Sequence, residues 1–135
     1  MKISLLLLLM TATLAVSQTQ SEMNEDAFAR YKKADFKLNN IYQTILDDYK
    51  SDTIFVKALR KAERLWVQFR DAQVEMMYPK ETTDSQTSYY GSVYPTCVSE
   101  YKLSLTEDRI KTLQEWIDGI EEGDVCSGSI HINYK

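Results

Sequence analysis

Between Met23 and Tyr49, apolar side chains recur at Met23, Ala27, Tyr31, Ala34, Leu38, Ile41, Ile45 and Tyr49, with no glycine or proline among them. Steps of three and four match the turn of an α-helix, so this stretch predicts a long amphipathic helix with one stripe to bury. "KSD" at 50–52 breaks the pattern and offers Ser51 or Asp52 as the N-cap of a second helix. That helix runs to about Tyr78 with Phe55, Ala58, Leu59, Ala62, Leu65, Trp66, Phe69 and Met76 inward, and Pro79 ends it. The short connection predicts an antiparallel hairpin.

Residues 80–91, "KETTDSQTSYYG", lack periodicity and predict a loop. Ser92 can cap a third helical stretch that tolerates Pro95 in its first turn. The apolar set Val98, Tyr101, Leu105, Ile110, Leu113, Trp116 and Ile117 follows, with "LTEDR" at 105–109 as an interruption. Thr106 is a good N-cap there, and Glu107 and Asp108 would sit at the positive end of a new helix, which Gly123 would stop. The tail "SGSIHINYK" alternates Ile130, Ile132 and Tyr134 like a short strand. The expected fold is all-α, a single small domain of three to four amphipathic helices built on a long antiparallel hairpin, with no internal repeat.

The first residues address the compartment. "MKISLLLLLMTATLAVS" has Lys2, an apolar run from Ile3 to Leu9, and small residues at Ala15 and Ser17, the pattern of a secretory signal. The apolar run is about half what a spanning helix needs, so no membrane anchor is expected. The chain then divides into a signal peptide (1–17), a helical domain (18–124) and a C-terminal tail (125–135), for a periplasmic or extracellular protein. Cleavage after Ser17 leaves 118 of the 135 residues and, without Lys2, 15 basic against 20 acidic side chains, a net charge of −5. Nucleic acid and anionic lipid need basic patches, so neither is an expected partner, whereas a cationic protein is.

Catalytic inventories come up short. The one histidine, His131, lies in the tail, and no Cys-His or Ser-His-Asp arrangement has a scaffold. No metal-ligand spacing and no glycine-rich phosphate loop occurs, so neither metal nor cofactor is expected and the chain is read as a non-enzyme. Trp66 and Trp116 read as core anchors.

"ADFKLNNIY", "LRKAERLWVQFRDAQ", "GSVYP" and "LTEDRIKTL", in that order, resemble the N-terminal domain of the LprI lysozyme-inhibitor family. The matching residues are Ala34, Asp35, Leu38, Asn39 and Tyr42; Trp66, Arg70 and Asp71; Gly91 and Ser92; and Leu105, Thr106, Arg109 and Leu113. The family commonly carries cysteines where this chain has Asp26, Val74 and Tyr101. The resemblance implies a binding protein that inhibits lysozyme, a cationic enzyme that cuts cell-wall glycan. The alternative is an envelope helical module with another protein or glycan partner.

Three groups of residues follow as candidates. Asp35, Asn39, Arg70 and Arg109 form a candidate polar lock that fixes helix register; the plainer reading is a solvated face with incidental pairs. Cys97 and Cys126, the only cysteines, would pair in an oxidising compartment, but a bond needs the chain to fold back at Leu103–Thr106. Tyr89, Tyr90 and Tyr94 on a polar loop suit protein recognition, against the alternative that one or two of them fold down over the helix ends.

Overall fold

The structure, a computed structural model, describes residues 18–80 and 83–133; the expected signal segment 1–17 and Tyr134 lie outside them. Four helices and a two-stranded ladder follow in order: α1 (Gln20–Asp48), α2 (Thr53–Met77), α3 (Gln86–Tyr90), α4 (Tyr94–Asp118), β1 (Ile120–Glu121) and β2 (Ile132–Asn133). The fold is all-α, and no described helix is long and apolar enough to cross a membrane.

Local chemistry sets the helix ends. Thr19 and Glu22 exchange side-chain and backbone hydrogen bonds in a capping box that starts α1, three residues before the first apolar repeat. Asp52 caps α2 by accepting from the Phe55 amide at 2.9 Å, and Tyr78, just before Pro79, is its C-cap. Part of the expected loop winds into α3, capped by Ser85. Pro95 sits in the first turn of α4, where its missing N–H costs nothing.

The closest backbone approach is between α1 and α4, the two ends of the domain, rather than across the α1–α2 hairpin. Gln20 and Asn24 meet Thr96, Arg30 pairs with Glu100, and the Tyr49 hydroxyl donates to the Trp116 carbonyl, so α1 and α4 run parallel. Small side chains on the buried faces, Ala27 and Ala34 against Ser99 and Thr106, let the helices come close. On α2 the inward positions are large, including Phe55, Leu59, Trp66 and Arg70, and they hold its backbone farther off while joining the core with their tips. That core gathers Leu38, Ile41, Ile45, Leu46 and Tyr49 of the α1 side, Leu59 of α2, and Ile110 and Leu113 of α4.

Three expectations are corrected. The break at 105–109 does not occur, because Ser99, Thr106, Ile110 and Leu113 form one continuous buried stripe and Thr106 is a fully buried helix-interior residue, not a cap. That helix ends at Gly119, which takes the left-handed φ of +69° that favours glycine, and not at Gly123. On α2, Ala58, Ala62, Leu65, Phe69 and Met76 face outward. Two apolar arcs with the same three-and-four spacing lie side by side on this helix, and only the arc holding Phe55, Leu59, Trp66 and Val74 meets the core.

The tail closes over the C-terminal ends of α1 and α4. Ile120 pairs in parallel with Ile132, and the Trp116 indole donates to Ser129 at 3.1 Å. The His131 ring lies 4.0 Å from that of Tyr49, whose hydroxyl accepts the His131 amide at 3.1 Å. His131 therefore secures the tail to the helices.

Candidate functional site

The helix faces between α2 and its neighbours carry two ion-paired clusters arranged around one tryptophan. Arg70 is buried, with its guanidinium 3.0 Å from Asp71 and 3.4 Å from Asp35. Lys102 of α4 approaches Asp71 at 3.7 Å and Lys32 approaches Asp35 at 3.6 Å. One turn or more along the bundle, Arg109 of α4 donates twice to Glu63 Oε2, at 3.0 and 2.9 Å. The Arg70 and Arg109 guanidinium carbons lie 5.4 and 5.9 Å from the centre of the Trp66 ring, within cation–π range.

Of the four proposed lock residues, Asp35 and Arg70 meet each other, whereas Arg109 belongs to the separate pair with Glu63. Asn39 is exposed and donates to the Asp35 backbone carbonyl one turn earlier, so its side chain serves its own helix. Glu63 and Lys102 complete the arrangement and had no signal beyond charge at helical spacing, while Trp66, read from the sequence as a core anchor, lies between the two guanidinium groups. Tyr31 packs beside Arg70, 5.9 Å from ring centre to guanidinium. Burial pushes the Tyr31 hydroxyl pKa up, and the Arg70 charge opposes that shift in part. These ion pairs join α2 to α1 through Asp35 and to α4 through Lys102 and Arg109.

A tyrosine cluster sits where α2 ends and α4 begins. Tyr78, at the end of α2, meets Tyr90 and Tyr94 edge-on with ring centres 5.4 and 5.3 Å apart, and Tyr90 stacks on Tyr94 at 5.7 Å. The Tyr90 hydroxyl donates to the Pro79 carbonyl. Desolvation raises the Tyr78 pKa, helped by the neighbouring Cys97. Tyr90 and Tyr94 are thus engaged with the helix ends, while Tyr89 leans on Tyr90 at 4.8 Å and stays 56% exposed. Tyr78 extends the set that sequence reasoning singled out; its position just before Pro79 was the available cue. Asp84 and Glu75, both exposed, lie close in sequence to this cluster.

Acidic side chains also gather at the opposite end. Because α1 and α4 are parallel, their C-termini come together, and Asp47, Asp48 and Asp118 lie there with Glu121, Glu122 and Asp124. Neither helix has a basic residue in its last turn, so the negative ends of both macrodipoles add to these carboxylates.

Cys97 is in the first turn of α4, and Cys126 follows the far end of this unbroken, roughly 38 Å helix. Both thiols are free, and the pairing considered from the sequence is not formed, for want of the fold-back it required. No group of three or more metal-ligating side chains occurs among the described residues.

A family model described as lysozyme inhibitor LprI matches residues 12–113, which takes in α1, α2, α3 and most of α4 and leaves out the tail. No curated protein and no solved structure matches the chain.

Proposed function

The chain belongs to the LprI lysozyme-inhibitor family, and from that membership we propose that it is an exported helical binding protein that holds and inhibits a glycan hydrolase of the lysozyme type. The observation that carries this reading is the extent of the match, from residue 12 to residue 113. The acidic balance of the chain, formally −4 over its full length, supports a cationic partner by favouring encounter over random collision.

We place the contact at the tyrosine end. Tyr89 offers an exposed amphipathic ring on a base formed by Tyr90, Tyr94 and Tyr78, with Glu75 and Asp84 close by in sequence to meet lysines or arginines. A ring held by its neighbours loses little freedom on binding, which is how tyrosine works as an interface anchor.

The test is lysis of a cell-wall suspension by a hen-type lysozyme, with and without the protein, at fixed ionic strength. Inhibition is expected. Tyr89→Ala should weaken binding by about 2 kcal/mol with an unchanged melting curve. The Tyr89→Ala/Tyr90→Ala double variant needs its melting curve read alongside, because Tyr90 also holds the loop to Pro79. Failure of the wild type to inhibit or bind any lysozyme refutes the function. Binding that survives Tyr89→Ala but is lost in Asp47→Lys/Asp48→Lys moves the contact to the acidic end.

A further inference from the structure

The outward arc of α2 is an apolar surface that the fold does not use. Ile54 is 84% exposed, Leu65 and Phe69 52% each, and Met76 67%, with Ala58 and Ala72 exposed between them. They fall on one face at steps of four, seven, four, three and four. Over the 22 residue steps from Ile54 to Met76, that face is roughly 33 Å long and 10 Å across. An apolar stripe of this length on an exported protein is an aggregation liability unless something covers it.

Phe69 apart, whose counterpart four residues before Leu65 is Lys61, the apolar positions are symmetric about Leu65. Ile54 and Met76 lie 11 residues to either side, and Ala58 and Ala72 lie seven to either side. Two α2 helices laid antiparallel across a two-fold axis at Leu65 would match Leu65 with itself, Ile54 with Met76, and Ala58 with Ala72. Small residues would then meet small ones, and large ones would flank them.

Charge complements the arrangement at one pair. On one edge of the face lie Lys57, Lys61 and Arg64 in the first half of the helix, and Gln68 and Glu75 in the second. In an antiparallel pair like edges meet, so Lys57 of each copy comes opposite Glu75 of the other, twice per dimer. Neither Lys57 nor Glu75 has an ion pair among the described residues. We propose that this face of α2 is the interface of a symmetric homodimer, paired antiparallel about Leu65. An anionic lipid surface would suit the apolar stripe and the cations Lys57, Lys61 and Arg64, but it leaves Glu75 without a counter-charge, which the antiparallel pair supplies from Lys57. A stripe this narrow is at the low end for specific interfaces, so the affinity expected is micromolar. The pairing leaves Tyr89 and its ring cluster open and shares only Glu75 with the surface placed against lysozyme, and self-association is read with no lysozyme present.

Sedimentation velocity on the full chain as the producing cell processes it, across the micromolar range, reads the association directly. The wild type should pass from monomer to dimer. Leu65→Arg puts two like charges on the axis and should weaken the dimer by at least about 30-fold, with far-UV circular dichroism unchanged because the side chain is already half exposed. Lys57→Glu and Glu75→Lys should each weaken it by about threefold to tenfold, while the double swap restores the wild-type constant to within about twofold. That rescue separates antiparallel self-pairing from other occupants. A wild type that stays monomeric throughout overturns the proposal, as does a double swap that fails to restore association. Capture by phosphatidylglycerol vesicles without self-association overturns it in favour of a lipid surface.

Discussion

Replacing Arg109 by methionine tests whether the ionic contacts on the helix faces hold the bundle together. Arg109 and Glu63 are each about 15% exposed at the side chain, and the guanidinium gives one carboxylate oxygen two hydrogen bonds, of 3.0 and 2.9 Å. Arg109→Met strands Glu63 as a nearly buried anion with no counter-charge, for which a fully buried pair would lose about 3–5 kcal/mol. The remaining exposure admits some water, so about 2–3 kcal/mol is expected here. For a domain of this size that corresponds to a melting temperature lower by roughly 10 °C. Glu63→Met/Arg109→Met removes both charges and leaves apolar stems beside Trp66, and should cost about 1 kcal/mol or less. Asp35→Ala is a useful contrast: Arg70 keeps Asp71 at 3.0 Å, so the loss should be only about 1 kcal/mol. Urea denaturation of the wild type, the two singles and the double closes the cycle. A single substitution costing under about 0.5 kcal/mol, or a double variant costing the sum of the singles, would refute the buried-pair account.

Three further outcomes follow from particular side chains. The Thr106 hydroxyl is fully buried and has no hydrogen-bond partner, so the near-isosteric Thr106→Val should stabilise by about 1 kcal/mol in the same assay. Burial raises the pKa values of Tyr31, Tyr49 and Tyr78 above the ordinary tyrosine value, so the folded state retains their protons longer than the unfolded state does. Their contribution is complete below the unfolded pKa and is lost as pH rises through the folded values; alkaline unfolding above about pH 10, with delayed ionisation of these tyrosines in an absorbance titration, is the expected result. Both cysteines should react with a thiol reagent under native conditions, the exposed Cys126 faster than the partly covered Cys97, and an unreactive protein with two fewer thiols by mass would show a bond after all.

The amphipathic period fixed by Ala27, Tyr31, Ala34, Leu38, Ile41 and Ile45 was enough to read α1, because a single stripe on a long helix has one solution. The α2 arcs were harder to read. Leu65 and Leu59 have the same hydrophobicity and the same helical spacing, and only the position of α4 decides which of them is covered. Thr106 shows the reverse difficulty: a hydroxyl next to two acids reads as a helix start, yet its small volume suits a close helix contact. In the polar groups, Asp35 and Arg70 were named together from their charges and from the motifs that carry the resemblance. Glu63 was not, because its partner Arg109 is 46 residues away and nothing local marks the pair. Tyr89, Tyr90 and Tyr94 were legible as a group, but their division into two packed rings and one open ring depends on Tyr78 and Pro79.

The parallel pairing of α1 with α4 has a consequence for the order of folding. The contacts that bring these helices together join residues about 70 positions apart, such as Arg30 with Glu100 and Tyr49 with Trp116. Closing a loop of that length costs chain entropy before any close packing repays it, and the antiparallel neighbour α2 offers α1 only the tips of large side chains meanwhile. A chain emerging from its N-terminus therefore has no tightly packed helix pair until α4 has followed it out. Until then the stripes of α1 and α2 lack their closest partner, which only the last third of the chain supplies. Such a chain stays loose enough to be threaded through a narrow passage for nearly its whole length, and it commits to its folded form only at the end.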